Sequence, residues 1–203
     1  MQSGRGILAG HPIRDIRCRV LADRWGEGYG PITVQQLEDL TLLAGQRGEI
    51  VVSGKHVLPD YPDEEANRTC KIHVGDTVWH RTGDAGYFDA TGRLWLLGRC
   101  AASDRIVYPF EVEVPACEVP GVARAGFLVL GARRVLAVEM APETPKASYP
   151  SIVRELQGLP VDEVVILNKI PLDRRHQSKV DQGALLKLLA PGLRKRGTEA
   201  GDH

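Results

Sequence analysis

The sequence has no excess of charge of either sign and no apolar run long enough to span a membrane. Its 26 Lys and Arg residues balance 26 Asp and Glu residues, so the formal net charge is zero. A neutral chain argues against nucleic acid or an anionic membrane as the main partner, because both attract positive surfaces. No apolar run approaches the roughly 20 residues that cross a bilayer, and residues 1–6 lack a signal peptide's apolar core. We therefore expect a soluble, cytoplasmic protein.

Closely spaced cysteines are also missing. The four cysteines are widely separated: Cys18, Cys70, Cys100 and Cys117. They form neither a CxxC pair nor the framework of a secreted disulfide protein. Cys70 and His73 have a ligand-like spacing, with His80 and Cys100 nearby in sequence, but structural zinc normally uses two clean ligand pairs. We expect reduced, mostly buried thiols and no bound metal.

The first half of the sequence predicts short strands separated by turns. Residues 16–20 alternate apolar and polar side chains, and residues 48–54 form an apolar run bounded by glycines. Further strands are expected at 77–80 and 94–97, with hairpin chemistry at 89–92. A short helix or turn is expected at 34–43 and a polar loop at 61–67. This pattern predicts a distorted β-barrel in residues 1–98.

After Arg99 the composition changes, and the small polar residues 101–104 resemble a hinge. Strands are expected at 125–130, 134–140 and 161–167, and helices at 111–119, 148–156 and 181–189. Pro191 is expected to end the last helix, because proline lacks the backbone N–H that a helix needs. The tail from Arg194 is expected to be disordered. The fold class is therefore α+β, with a small mobile α+β domain at 99–203.

The segment Thr82-Gly83-Asp84 predicts a sharp corner that presents one acidic side chain to a polar ligand. Taken alone, an Asp beside a Gly commonly caps its own turn. Here it stands between a Gly-bounded block at 48–54 and the pair Gly98-Arg99. In order and spacing these blocks resemble the adenylate-forming superfamily, which includes acyl-CoA synthetases, luciferases and peptide-synthetase adenylation domains. The resemblance covers only the C-terminal portion of such an enzyme.

The resemblance implies roles for three residues. Asp84 would accept hydrogen bonds from both ribose hydroxyls of ATP, which suits a carboxylate because its two oxygens accept and cannot donate. Arg99 would contact the ribose and close the larger domain, of which residues 1–98 would be the last subdomain. Lys179 would be the catalytic lysine of the mobile domain, residues 99–203. Without the resemblance, Arg99 is a solvated strand-end arginine and Lys179 a solvated cation in a polar loop.

Two local features resemble one branch of the superfamily. The run Arg175-His176-Gln177-Ser178-Lys179 resembles the R-H-N-x-K version found in the β-lactone synthetases of olefin biosynthesis. Those enzymes adenylate a β-hydroxy acid and close a lactone without coenzyme A. The glycine-rich loop that normally follows the arginine and lines the thiol tunnel is absent after Arg99. Coenzyme A is therefore the less expected acceptor.

The sequence contains no phosphate-binding loop, no acidic block for magnesium and no acyl pocket of the kind the resemblance implies. ATP and Mg²⁺ would then be bound mainly by a missing N-terminal domain or subunit, and this chain alone would be inactive. The implied function is ATP-dependent activation of a carboxylic acid as an acyl-adenylate, followed by β-lactone or thioester formation. One alternative is a non-catalytic remnant or interaction module that retains the fold. Another is an unrelated β-rich binding protein whose motifs arose by chance.

Overall fold

The computed structural model describes residues 6–173 and 179–199, with residues 191–199 as backbone only. The chain divides into two compact units, Met1–Glu111 and Val112–His203. Residues 99–111 thus fall in the first unit, while the predicted division at residue 98 and the predicted hinge remain predictions. Within the described ranges, no helix is both long enough and apolar enough to cross a bilayer.

The first unit is built on a curled six-stranded sheet whose pairings are all antiparallel. The strand order is β1-β6-β5-β3-β2, and β4 pairs with β5. The strands are β1 (Ile7–Gly10), β2 (Ile16–Leu21), β3 (Gly48–Gly54), β4 (Lys71–Val74), β5 (Thr77–Phe88) and β6 (Leu94–Arg99). Register shifts along β1, β3 and β6 help to curl the sheet, since bulges bend strands and increase their twist. The predicted barrel subdomain is thus an open half-barrel.

Two short helices pack beside this sheet. Helix α1 (Val34–Leu40) begins with a capping box between Thr33 and Gln36 and buries Leu37 against an apolar cluster. Helix α2 (Glu64–Cys70) lies where the sequence predicts a polar loop at 61–67, so that prediction is wrong from Glu64 onward. Asp63 accepts a hydrogen bond from the Glu65 N–H and thereby starts the helix.

The hairpin between β5 and β6 confirms the predicted turn at 89–92. The Trp95 indole N–H donates to the Asp89 carboxylate at 3.0 Å, and the backbone N–H groups of Thr91 and Arg93 donate to it at 2.9 and 3.0 Å. These hydrogen bonds, led by that of Trp95, hold the pKa of Asp89 well below its usual range. The Asp89 carboxylate therefore satisfies most of the donors of the turn, while the Gly92 N–H donates to the Asp89 backbone carbonyl.

The second unit contains a three-stranded sheet in the order β7-β8-β9. The strands are β7 (Val122–Leu130), β8 (Arg133–Met140) and β9 (Glu163–Leu167). β8 pairs with β7 antiparallel and with β9 parallel. Side chains of β8 alternate between the two faces: Leu136 and Val138 join one apolar cluster, while Val135 and Ala137 join another. The sheet is therefore covered on both faces.

Helices cover this sheet as the alternation requires. They are α3 (Pro109–Glu118), whose first residues belong to the first unit, α4 (Tyr149–Leu156) and α5 (Gln182–Glu199). Leu156 of α4 and Leu185 of α5 are buried in the clusters on opposite faces. Helix α5 continues past Pro191, so the predicted end at that residue is wrong, as is the predicted disorder up to Glu199. Proline removes one helical N–H there without stopping the helix. Residues 200–203 lie outside the described residues.

A half-buried carboxyl makes the stability of the second unit depend on pH. Glu113 of α3 accepts a hydrogen bond from the Phe127 N–H at 2.7 Å, and burial raises its pKa to about 7. Because the unfolded chain releases this proton at lower pH, folding stability should fall as the pH rises from about 4.5 to 7. Glu113→Gln should therefore be more stable than wild type at pH 8, by about 1–3 kcal/mol, and similar to it at pH 4.

Urea unfolding followed by the amide signals of the second unit measures this difference. The exposed Glu118 of the same helix offers a matched control, since Glu118→Gln should give a pH profile parallel to that of wild type. A profile for Glu113→Gln that also ran parallel to wild type would show that Glu113 ionises normally in the folded state.

Candidate nucleotide-binding site

Asp84 lies in an irregular stretch in the middle of β5. Val51 of β3 pairs with Arg81 and Glu49 pairs with Ala85, so Ile50 alone faces the three residues 82–84. The Thr82 hydroxyl donates to the Ile50 carbonyl at 2.8 Å and accepts from the Asp84 N–H at 3.1 Å. The predicted corner is therefore a bulge (the Asp84 bulge, residues 82–84) within one long strand, and not a turn between strands.

Arg99, at the end of β6, is the direct neighbour of Asp84 across the sheet. Its Nε lies 3.2 Å from Asp84 Oδ1, and its Nη1 donates to the Thr82 carbonyl at 3.0 Å. The two side chains are 60% and 41% exposed, so the pair is accessible from solvent. The structure thus brings together the two residues that sequence reasoning proposes for ribose binding.

Gly83 adopts a left-handed backbone conformation with φ of 69°. A Cβ at this position would lie 2.9 Å from a carbon of the Trp25 ring, which therefore packs directly against the glycine backbone. A side chain would suffer both the strained φ and this overlap. The residue before Asp84 is thus required to be glycine for two independent reasons.

A buried ion pair lies beneath the bulge. The Arg81 and Glu49 side chains are 0% and 1% exposed, and Arg81 Nη2 lies 2.6 Å from Glu49 Oε2. The guanidinium also donates to the carbonyls of Arg24, Glu27 and Thr69. Burial raises the pKa of Glu49, whereas the Arg81 cation and the Gly83 N–H oppose that rise. These contacts satisfy an otherwise costly pair of buried charges.

Sequence reasoning did not single out Glu49, Arg81 or Trp25. Glu49 and Arg81 stand inside two of the blocks that carry the resemblance, but their burial follows from strand pairing 32 positions apart. The available signal was a charged residue on the apolar face of each strand, since Val51, two positions from Glu49, and Trp79, two positions from Arg81, are buried. Trp25 carried no signal, because it lies in an irregular segment.

Lys179 belongs to the second unit and is exposed. Its carbonyl accepts from the Asp173 N–H at 2.8 Å, and Leu172 pairs with Val180 in an antiparallel bridge. Lys179 is therefore hydrogen-bonded to Asp173 and lies three residues before the start of α5. The remainder of the predicted lysine motif, residues 174–178, lies outside the described residues.

The cysteine and histidine residues that the structure describes form no metal-binding group. In the described parts of the chain, no three His, Cys, Asp or Glu side chains are arranged to hold a metal ion. All four cysteines are free, but only Cys100 is buried; Cys18 and Cys70 are half-buried and Cys117 is exposed, so the prediction of mostly buried thiols is wrong. Burial raises the pKa of Cys18 to about 11, which makes it a poor nucleophile.

Known proteins resemble this chain in sequence and in fold. No family model matches the chain. An olefin β-lactone synthetase from Stenotrophomonas maltophilia is 31% identical over 177 residues, covering 76% of this chain and 32% of that protein. A 2-succinylbenzoate–CoA ligase from Bacillus subtilis is 38% identical over 124 residues, covering 58% of this chain and 21% of that protein.

Solved structures of two ligases superpose on this chain. The amide bond synthetase McbA from Marinactinospora thermotolerans superposes with a TM-score of 0.66 at 25% identity, covering 90% of this chain and 36% of that one. The O-succinylbenzoate coenzyme A synthetase from Bacillus subtilis, in complex with AMP, superposes with a TM-score of 0.63 at 22% identity, covering 88% and 35%.

The similarities in sequence and fold identify this chain as a homologue of AMP-binding acid ligases. The chain belongs to the adenylate-forming superfamily, as the ordered blocks around Asp84 predicted, and its relatives include olefin β-lactone synthetases. Two of these relatives match most of this chain, and the chain spans about a third of their length.

Proposed function

We propose that this chain supplies the ribose-binding residues and the catalytic lysine of an ATP-dependent carboxylic acid ligase. The observation that supports this most strongly is the Asp84–Arg99 pair, held at an accessible bulge of the sheet. A carboxylate with two accepting oxygens suits the two neighbouring hydroxyls of a ribose. Arg99 offers further N–H donors beside it, so the pair fits the sugar of ATP or AMP.

Lys179 would act in the adenylation step. There a carboxylate oxygen attacks the α-phosphorus of ATP, the bond to the β-phosphate oxygen breaks, and pyrophosphate leaves. Two anions must approach each other, and charge accumulates on the phosphorus oxygens. An ammonium group brought there offsets both costs. The exposed position of Lys179 before α5 leaves its side chain available for this role.

The remaining parts of the site would come from the portion of the ligase that this chain does not match. That portion would bind the triphosphate, Mg²⁺ and the acid. Mg²⁺ would supply charge neutralisation at the phosphates, and no group of described residues in this chain is arranged to hold it. The first unit exposes Ile7 and Leu8 of β1, which is an edge strand of the sheet, and a further ligase segment would cover this edge.

The product that the relatives favour is a β-lactone. Two olefin β-lactone synthetases match 76% and 91% of this chain, at 31% and 29% identity. In the lactone branch, the β-hydroxyl oxygen of the adenylated acid would attack its own acyl carbon and release AMP. In the thioester branch, the sulfur of coenzyme A would make the same attack.

A chimera tests the function directly. The part of the Stenotrophomonas maltophilia synthetase that this chain does not match is joined to this chain as one polypeptide, called the chimera below. With ATP, Mg²⁺ and a β-hydroxy acid, it should form AMP, pyrophosphate and a β-lactone, and coenzyme A should not increase the yield. Mass spectrometry of the products, with and without coenzyme A, is the measurement.

The outcomes separate the alternatives. A thioester that forms only with coenzyme A would exclude the lactone branch and leave the acid-ligase function intact. A folded chimera that releases no acid-dependent AMP would refute the proposal and favour the non-catalytic module. The same portion of the synthetase joined to its own remaining sequence is the positive control.

A further inference from the structure

We propose that Arg81, Glu49 and Trp25 are positioning residues that hold the Asp84 bulge in the form that presents Asp84 to a ribose. None of the three is assigned a contact with the nucleotide. The proposal rests on the proposed role of Asp84 and adds the means by which its carboxylate is aimed. The residues act through the segment 24–29, called the tryptophan loop below.

The Arg81 guanidinium joins three parts of the first unit. Its Nε donates to both oxygens of Glu49 at 3.0 and 3.1 Å, which ties β5 to β3. Its Nη2 donates to the Arg24 carbonyl at 2.9 Å, and its Nη1 donates to the Glu27 carbonyl in the tryptophan loop. Nη1 also lies 3.2 Å from the Thr69 carbonyl at the end of α2. One side chain therefore anchors an irregular loop to the strand that carries the bulge.

This arrangement does more than fill the core. A buried ion pair usually stabilises a fold no better than well-packed apolar side chains of the same size. Here the guanidinium also donates hydrogen bonds to the carbonyls of Arg24 and Glu27. An apolar side chain would leave these carbonyls without donors. Its carbon Cζ lies 5.4 Å from the centre of the Trp25 ring and 4.7 Å from that of Tyr29. The pair thus specifies where the aromatic rings of the loop lie.

Trp25 connects this anchor to the bulge. Its ring lies against Gly83, within about 3 Å of where a Cβ would stand. Its backbone N–H donates to Asp23 at 3.0 Å, and the Tyr108 hydroxyl donates to the other oxygen of that carboxylate at 3.1 Å. Arg105 Nη2 reaches the Trp25 carbonyl at 3.3 Å. Hydrogen bonds at both the N–H and the carbonyl of Trp25 therefore fix the backbone that carries the ring.

Glu49 lies beside the bulge, because it pairs with Ala85, the residue that follows the bulge, and directly precedes Ile50, which faces the bulge. Opposite Ile50 the strand has three residues where a regular ladder would have one, and of these three only Asp84 has a partner in β6, so strand pairing leaves Thr82 and Gly83 under-determined. The Trp25 ring against Gly83 and the Arg81–Glu49 pair beside the bulge supply the missing constraints. Asp84, the next residue, takes its direction from them.

The experiment uses the full 203-residue chain and two readouts by NMR: AMP titration and exchange of the Asp84 amide hydrogen. Trp25→Ala should weaken AMP binding about 10-fold and accelerate exchange of the Asp84 amide by a similar factor. Trp25→Phe, which keeps a ring against Gly83, should restore most of both. Glu49→Gln keeps the side-chain shape but weakens the bond to Arg81, and it should change both readouts in the same direction.

Leu156→Ala is the control, because Leu156 is buried in the second unit, in a cluster that contains no residue of the tryptophan loop. It should lower stability without changing either readout.

If Trp25→Ala binds AMP and exchanges the Asp84 amide as wild type does, while Asp84→Ala loses AMP binding, the positioning role is wrong and the ribose role of Asp84 stands. Equal AMP binding by wild type and Asp84→Ala would instead refute the ribose role. The amide exchange then still reports whether Trp25 fixes the bulge. If Trp25→Ala does not fold, Trp25→Phe and Glu49→Gln decide the matter with the same two readouts.

Discussion

Replacing Lys179 by alanine in the chimera should reduce the rate of acyl-adenylate formation about 10²–10³-fold and leave the affinity for ATP nearly unchanged. The charge that a lysine there would meet develops on the phosphorus oxygens only as the bond to pyrophosphate breaks. An interaction made only in the transition state lowers the turnover number when it is removed. Removal of one such electrostatic group commonly costs about 3–4 kcal/mol of barrier.

Acid-dependent pyrophosphate exchange measures this step apart from the later release of AMP. Lys187→Ala is the matched control, because Lys187 is an exposed lysine in α5 of the same unit. It should leave the exchange rate unchanged, and this chain without the rest of the chimera should give no exchange. A Lys179→Ala chimera that exchanges pyrophosphate at the normal rate would remove the mechanistic role from this residue.

The Asp84→Ala chimera should show the converse result. Its Michaelis constant for ATP should rise about 10–100-fold, with a much smaller change in turnover. The ribose hydroxyls do not react, so the contacts with Asp84 would be equally strong before and during the reaction, and their loss weakens binding uniformly. Hydrogen bonds to a charged group contribute about 1.5–3 kcal/mol, which corresponds to that range.

The exposed Asp76, in the turn between β4 and β5, provides the control substitution Asp76→Ala. A second measurement uses 2′-deoxy-ATP. The wild-type chimera should bind it less tightly than ATP, whereas Asp84→Ala should discriminate little between the two. If Asp84→Ala lowers turnover and leaves the Michaelis constant for ATP unchanged, Asp84 does not bind the ribose.

Several features of the fold followed directly from the sequence because short-range chemistry decides them. The turn at 89–92 was predictable, since Asp89 is followed by residues whose N–H groups its own carboxylate can reach. The strands β2, β3, β7 and β8 were predictable from apolar alternation or from apolar runs bounded by glycine. Family membership followed from the order of the blocks that contain Asp84 and Arg99, and homologues confirm it.

Two local predictions of backbone conformation were wrong because the effect of one residue was misjudged. Asp63 caps α2 and converts the end of a predicted polar loop into helix. Helix α5 runs through Pro191, although proline usually ends a helix. The segment from Glu64 is polar as predicted but forms a helix, and the residues after Pro191 continue α5. Residues 174–178, which carry most of the lysine motif, lie outside the described residues.

By itself the sequence determined which residue types stand at each block: the carboxylate of Asp84, the arginine of Arg99 and the lysine of Lys179. Only the tertiary structure decided that Thr82 to Asp84 form a bulge opposite Ile50, with Trp25 against Gly83 and Arg81 buried on Glu49. The reason is physical. A turn depends on groups a few residues apart, whereas the bulge depends on contacts between residues 32 and 57 positions apart, which exist only when the strands and the loop have come together.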